Sequence, residues 1–252
     1  MDAWRATKAP VRDQYLAILK LELLKVRRTW FFHFLIPALI ALGLVWLRSR
    51  LAAHPIGDKR YVAGSATVAA IFSSLNAVAH DSSAAKANGE LEQLASLPIA
   101  RAPVVFAMVT LPIAYGVAPI LILLFVGSAA LGLSPHFQVI GLVALLAMQL
   151  MLAGAGLTLG LYFPQRMATS LAAAVPLFLM LFTPILLEPS QLPPVLGSVG
   201  SVLPTTLAAD VLEHALFGNP GGAELLKVTA VAAVAVVALA AVVRLPGWRD
   251  LD

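Results

Sequence analysis

The side chains able to do chemistry gather in two short stretches, Asp81–Pro103 and Thr205–Phe217, set between long apolar runs. In the first, Gly89-Glu90-Leu91-Glu92-Gln93-Leu94 predicts a short amphipathic helix opened by Asn88 and stopped before Pro98. Leu91, Leu94 and Leu97 share a side at helical spacing, and Glu90 and Glu92 lie at the positive helix N-terminus. That combination suits a helix gripped by another protein, with the leucines inserted and the carboxylates paired to basic side chains. In the second stretch a half-polar helix bears Asp210, Glu213 and His214.

Other chemistry finds little material. There is no cysteine, which removes disulfides, zinc-thiolate sites and thiol nucleophiles. His33, His54, His80, His136 and His214 show no His-Glu-x-x-His or close pairing, so no metal site is expected, and no Ser/His/Asp set assembles on one side. The phosphate-cradling Gly-x-x-x-x-Gly-Lys-Ser/Thr loop is also missing. The apolar runs lack the buried acids or bases of ion-coupled carriers. Any driving energy therefore has to enter from elsewhere, and the Asp81–Pro103 island is the candidate entry point.

The elements that must position these groups are membrane spans. Sixty per cent of the 252 residues are hydrophobic, 12% are charged and the mean hydropathy is +0.89, against about 25% charged residues in a soluble domain. The net charge of +4 sits at the edges of apolar runs, which points to a bilayer rather than nucleic acid. Residues 1–28 read as a cytoplasmic or interfacial segment whose helix carries Lys20, Glu22, Lys25, Arg27 and Arg28. Six spans follow at about 29–47, 61–80, 104–131, 137–162, 167–187 and 225–243, the third interrupted by Pro112 and Pro119, so that a bend or break is expected there. Residues 81–103 form a loop between spans. Residues 188–222, rich in Pro and Gly yet oily, predict short re-entrant helices. The fold class is thus an all-α integral membrane protein with an N-terminal interfacial amphipathic helix, six transmembrane helices and a re-entrant region before the last.

With the N-terminus inside, 12 of the 17 Lys and Arg lie inside and five outside. Arg48, Arg50, Lys59 and Arg60 run against that orientation, because they crowd the first outer loop. Lys227 is expected to snorkel to the outer edge. Within the spans, Ser65, Ala69, Ser73, Asn76 and His80 fall on one stripe, while Gln149, Ala153, Gly156 and Gly160 share a face suited to close helix contact. Ser73, Asn76, Gln149 and Met180 are candidates for a substrate path facing a partner permease, with helix packing as the competing reading.

In order and spacing these features resemble the permease subunits of ABC type-2 transporters, over nearly the whole chain. The resemblance rests on the helix Gln14–Arg28 before the first span, on Asn88-Gly-Glu-Leu-Glu-Gln-Leu-Ala-Ser-Leu-Pro-Ile-Ala-Arg101, and on Leu203-Pro204-Thr205 through Asp210. Glu213 and His214 stand where the family often has an arginine. The resemblance implies a single permease domain over residues 1–252 in a prokaryotic plasma membrane, with both termini cytoplasmic. It implies two permeases, identical or sister chains, joined to two ATP-binding subunits that hold ATP and Mg; this chain would carry no cofactor and be no enzyme itself. Asn88, Gly89, Glu90, Leu91, Glu92, Leu94 and Leu97 would form the coupling helix in the ATPase groove. The cargo would be an exported amphiphile: a drug, antibiotic, lipid or lipid-linked glycan. Alternatives are a haem-export permease and a non-transporting accessory or scaffold protein.

Overall fold

A computed structural model describes residues 10–27, 30–51, 58–187 and 192–244, together with the backbone but not the side chains of residues 30, 32, 33 and 51. Arg28 of the interfacial helix lies outside the described residues, as do residues 188–191 of the re-entrant region. Among the described residues all regular structure is helical.

Helix α1 (Val11–Val26) precedes α2 (Trp30–Leu51). One long rod follows, made of α3 (Asp58–Ala70), a π-helical stretch (Ile71–Asn76) and α4 (Ala77–Ala87). The short α5 (Glu90–Ser96) leads into α6 (Arg101–Ala130), then α7 (Val139–Tyr162) and α8 (Gln165–Phe182). After α9 (Pro194–Ser201) and α10 (Pro204–Phe217), bent by 79° at their break, α11 (Gly222–Arg244) closes the described chain. The α3–α4 rod, α6, α7, α8 and α11 are each long and apolar enough to cross a bilayer. The 22-residue α2, with its first charge at Arg48, coincides with the first expected span. The bent α9–α10 pair lies before α11, where short re-entrant helices are expected, with the geometry of a broken span or a re-entrant loop.

Three boundaries differ from expectation. The second span does not stop at His80: α4 runs on through Asp81 to Ala87, so the first third of the polar island is helix. The fifth stops early, at Phe182, and Thr183, Pro184, Ile185 and Leu186 turn inward as buried non-helical chain. The third neither breaks nor splits, because α6 continues through Pro112 and Pro119 over 30 residues. Both prolines are buried, and neighbouring helices can re-satisfy freed backbone groups in a membrane bundle.

The α3–α4 rod is the centre of the bundle. Its most apolar window is 83% buried, against 17% for α8 and 28% for α11, which present Leu177, Phe178, Leu181, Val236 and Val237 outward. Its Ala, Ser and Gly residues explain this, since small side chains let neighbours approach closely. Leu75, Ala79 and Ser82 of the rod lie directly against Gly156 and Gly160 of α7, so the close contact expected of that glycine pair is present. Gln149 and Ala153 lie fully buried on the same face. At the end of this contact the Lys86 ammonium donates to the Leu161 carbonyl at 2.7 Å, satisfying an acceptor that the end of α7 leaves open.

Candidate functional site

The turn between α4 and α5 sets the geometry of the island. Asn88 does not open α5; it closes α4, its N–H donating to the Ala84 carbonyl at 2.9 Å. Gly89 then takes φ +74°, a left-handed value favouring glycine, and its carbonyl accepts the first α5 bond from Gln93 at 3.1 Å. The chain thereby reverses tightly enough for α5 to fold back against its own protein.

That folding-back divides the three leucines. Leu91 is 3% exposed and joins Val78, Ala85, Val105, Val109 and Leu161, so it is unavailable to a partner and anchors α5 instead. Leu94 is half-buried against Ile18, Val104 and Ala107 of α1 and α6. Leu97 is 47% exposed, because the helix ends at Ser96 and Leu97 has extended backbone, off the helical stripe. The two glutamates part in the same way. Glu90 pairs with the Lys25 ammonium of α1, which also donates to Glu22 at 3.0 Å. Glu90 is therefore engaged within the chain, whereas Glu92 is exposed and forms no ion pair among the described residues. Glu92, Gln93, Ser96 and Leu97 make the outward face of α5.

Helix α1 is held as a frame beside it. Gln14 Oε1 accepts from the Ala100 N–H at 2.9 Å, and the Tyr15 hydroxyl donates to Thr110 Oγ1 at 3.0 Å. Gln14, Ile18 and Val26 are buried, while Lys20, Lys25 and Arg27 remain exposed. Between α1, α4 and α6 lies a cavity of about 170 Å³ whose polar lining includes Glu22, Lys25, His80, Asp81, Asn88 and Glu90. The Lys25 pKa feels burial, which pushes it down, but hydrogen bonds to Glu90 and Glu22 and their charges hold it above the ordinary lysine value.

The polar residues inside the spans do not form one path. Gln149 is fully buried within this chain, with its Oε1 accepting from Ser74 at 3.2 Å and Gly116 packed against it. It cannot face a partner permease. The π-helical stretch, whose i→i+5 bonds break the 100° helical phase, separates the predicted stripe. Ser65 and Ala69 are buried, Ser73 is 3% exposed, and Asn76 and His80 open toward α2. There Phe72, Ser73, Asn76 and His80 line a hollow of about 170 Å³ with Ile36 and Pro37. Met180 packs half-buried on α8, outside that hollow.

At the opposite end of the bundle stands a charge cluster that the sequence did not announce as a unit. Arg60 of α3, 4% exposed, donates through Nε and Nη2 to the Pro184 carbonyl and through Nη1 to Asp210. Glu213 lies 3.5 Å from the same guanidinium, and Lys227 Nζ reaches the second Asp210 oxygen at 3.0 Å rather than snorkelling free. Arg48 likewise pairs with Asp58 at 3.0 Å. The signal available beforehand was the misfit itself: basic residues crowding an outer loop, and two acids in a half-polar helix. These ion pairs account for the crowding, since Arg48 and Arg60 are each matched by a carboxylate.

The ordered set is now complete: a framing helix, a central rod, a folded-back α5, and a bent helix pair before the last span. A family model described as ABC-2 type transporter matches residues 13–217, from the first turn of α1 to the end of α10. The chain belongs to the ABC-2 type transporter family. It is a transmembrane permease subunit of an ABC transporter, and no curated protein matches it closely enough to compare. Read as an ABC-2 permease, it presents α1 and α5 at one end of the bundle and the Arg60–Asp210 cluster, against the bent α9–α10 pair, at the other.

Proposed function

We propose that this permease belongs to an ATP-driven exporter of amphiphilic substrates, and that α5 receives the force of a separate ATP-binding subunit. One observation carries the reading: α5 is anchored inward by Leu91 and Leu94 and tied to α1 by Lys25–Glu90, yet keeps Glu92, Gln93, Ser96 and Leu97 exposed. A helix so mounted passes a push on its outward face directly into α1, α4 and α6. Lys20 and Arg27 extend the polar surface beside it. Asn88 and Gly89 supply the turn that holds it, and ATP and Mg belong to the partner.

In this reading the α1–α5 end faces the cytoplasm of a prokaryotic cell, in keeping with the Lys and Arg balance. A second permease, identical or sister, completes a two-plus-two assembly. The hollow of Phe72, Ser73, Asn76 and His80 then serves as the substrate contact, offering an aromatic ring, an amide and an imidazole beside apolar Ile36 and Pro37. This suits a drug, lipid or lipid-linked glycan better than an ion.

The test is reconstitution in liposomes with an ATP-binding subunit that co-purifies with this chain. Substrate-stimulated, vanadate-sensitive ATP hydrolysis and ATP-dependent movement of an amphiphile are expected. Stable incorporation without association with that subunit, and without ATP-dependent movement, would overturn the proposal.

A further inference from the structure

We infer that the groove between α1 and α6 is a seat for one acidic phospholipid, with its phosphate on Arg12 and one acyl chain along α6. The inference rests on the membrane location of the chain, not on its coupling to an ATPase. The groove measures about 480 Å³ and is lined by residues of α1, including Val11, Arg12 and Tyr15, and of α6, including Pro103, Phe106 and Thr110. Its floor is fixed, since Tyr15 donates to Thr110 and Gln14 accepts from the Ala100 N–H, so α1 cannot drift away from the start of α6.

Three features select the occupant. From Ala102 to Thr110 the groove runs about 12 Å along α6 at 1.5 Å per residue, close to the roughly 15 Å of one leaflet's hydrocarbon. Its walls are apolar where a chain would lie: Val11 is 61% and Phe106 45% exposed, a surface that water would leave unsatisfied and an acyl chain covers. Its one charge is Arg12, exposed and without an ion pair among the described residues. A guanidinium lining an acyl-wide groove matches a phosphodiester bearing net negative charge. A zwitterionic lipid brings its own cation to the same place.

The absence of cysteine makes a site-specific test direct. Single cysteines replace Phe106, in the groove, or Val237, exposed on α11, and carry a bimane fluorophore in liposomes of phosphatidylcholine. Brominated phosphatidylglycerol should quench residue 106 about fivefold more effectively than brominated phosphatidylcholine, the increment of one basic side chain toward an anionic lipid. At residue 237 the two lipids should quench alike. Arg12→Gln should bring the residue 106 ratio down to the residue 237 value, and Lys20→Gln should leave it unchanged. Equal ratios at the two positions, a preference that survives Arg12→Gln, or no quenching by either lipid at residue 106, as when a second copy of the chain covers the groove, would each overturn the inference.

Discussion

Arg60 and Asp210 are separated by 150 residues of chain and meet as an ion pair that ties α3 to the second half of the bent helix pair. Pro184 completes the arrangement, so one guanidinium joins three segments: the start of the central rod, the chain after α8, and the middle of α10.

Removing that guanidinium leaves Asp210 and Glu213 facing each other and the Pro184 carbonyl without its donor. Losing one partner of a fully buried pair costs about 3–5 kcal/mol; because Asp210 is 24% exposed and keeps Lys227, about 2 kcal/mol is expected for Arg60→Ala. Lys227→Met, at a pair roughly a quarter exposed on each side, should cost about 1 kcal/mol or less. Thermal unfolding in detergent should rank the two variants accordingly.

The inward anchor and outward tip of α5 should separate stability from coupling. Leu91→Ala empties a buried site and should destabilise by about 2–4 kcal/mol. Leu97→Ala, at a 47% exposed position, should change stability by about 0.5 kcal/mol or less while lowering substrate-stimulated ATP hydrolysis. Parallel unfolding and ATPase measurements check both.

Lys25→Ala should leave the unfolding temperature almost unchanged, because both partners of the pair with Glu90 are more than a third exposed. Its effect should instead appear as ATP hydrolysis that no longer tracks transport, since α1 and α5 lose their tie. The pH dependence follows from the raised Lys25 pKa. Stabilisation from a raised ammonium pKa is complete below the unfolded-chain value and lost as pH rises through the folded one. The Lys25 contribution to the tie should therefore hold constant from about pH 6 to 9 and be lost as pH rises into strongly alkaline solution.

Two glycines should behave oppositely. A Cβ at Gly160 would press into Ser82 and stand 2.8 Å from the Ala79 carbonyl, so Gly160→Ala should disrupt the contact between α7 and α4. A Cβ at Gly43 meets nothing within 4 Å, and Gly43→Ala should stabilise α2 by about 0.5–1 kcal/mol. Expression and thermal unfolding distinguish them.

Composition and apolar runs made the spans, the re-entrant region and the interfacial helix legible, because a bilayer leaves few solutions for uncharged stretches of this length. The glycine pair on α7 was legible for a related reason, since small residues at helical spacing have one main use in a span. Leu91 was misread because spacing shows which side chains share a face but not which body that face meets. The Gly89 turn sends it into its own bundle. Gln149 was misread in the same way: it is buried within its own chain, where its Oε1 accepts from Ser74 while its Nε2 has no hydrogen-bond partner among the described residues. The Arg60–Asp210 pair was out of reach for a different reason: no periodicity links residues so far apart, and only the misplaced positive charges hinted at a partner.

If an ATP-binding subunit seats on the outward face of α5, that face must lie within reach of it. Because the chain has no cysteine, a single cysteine at position 97 can carry a photo-crosslinker of defined reach in membranes containing both subunits. Capture of the ATP-binding subunit is expected from position 97, and no capture from a cysteine at the buried position 91. Full transport with no capture from position 97 would contradict the proposed seating.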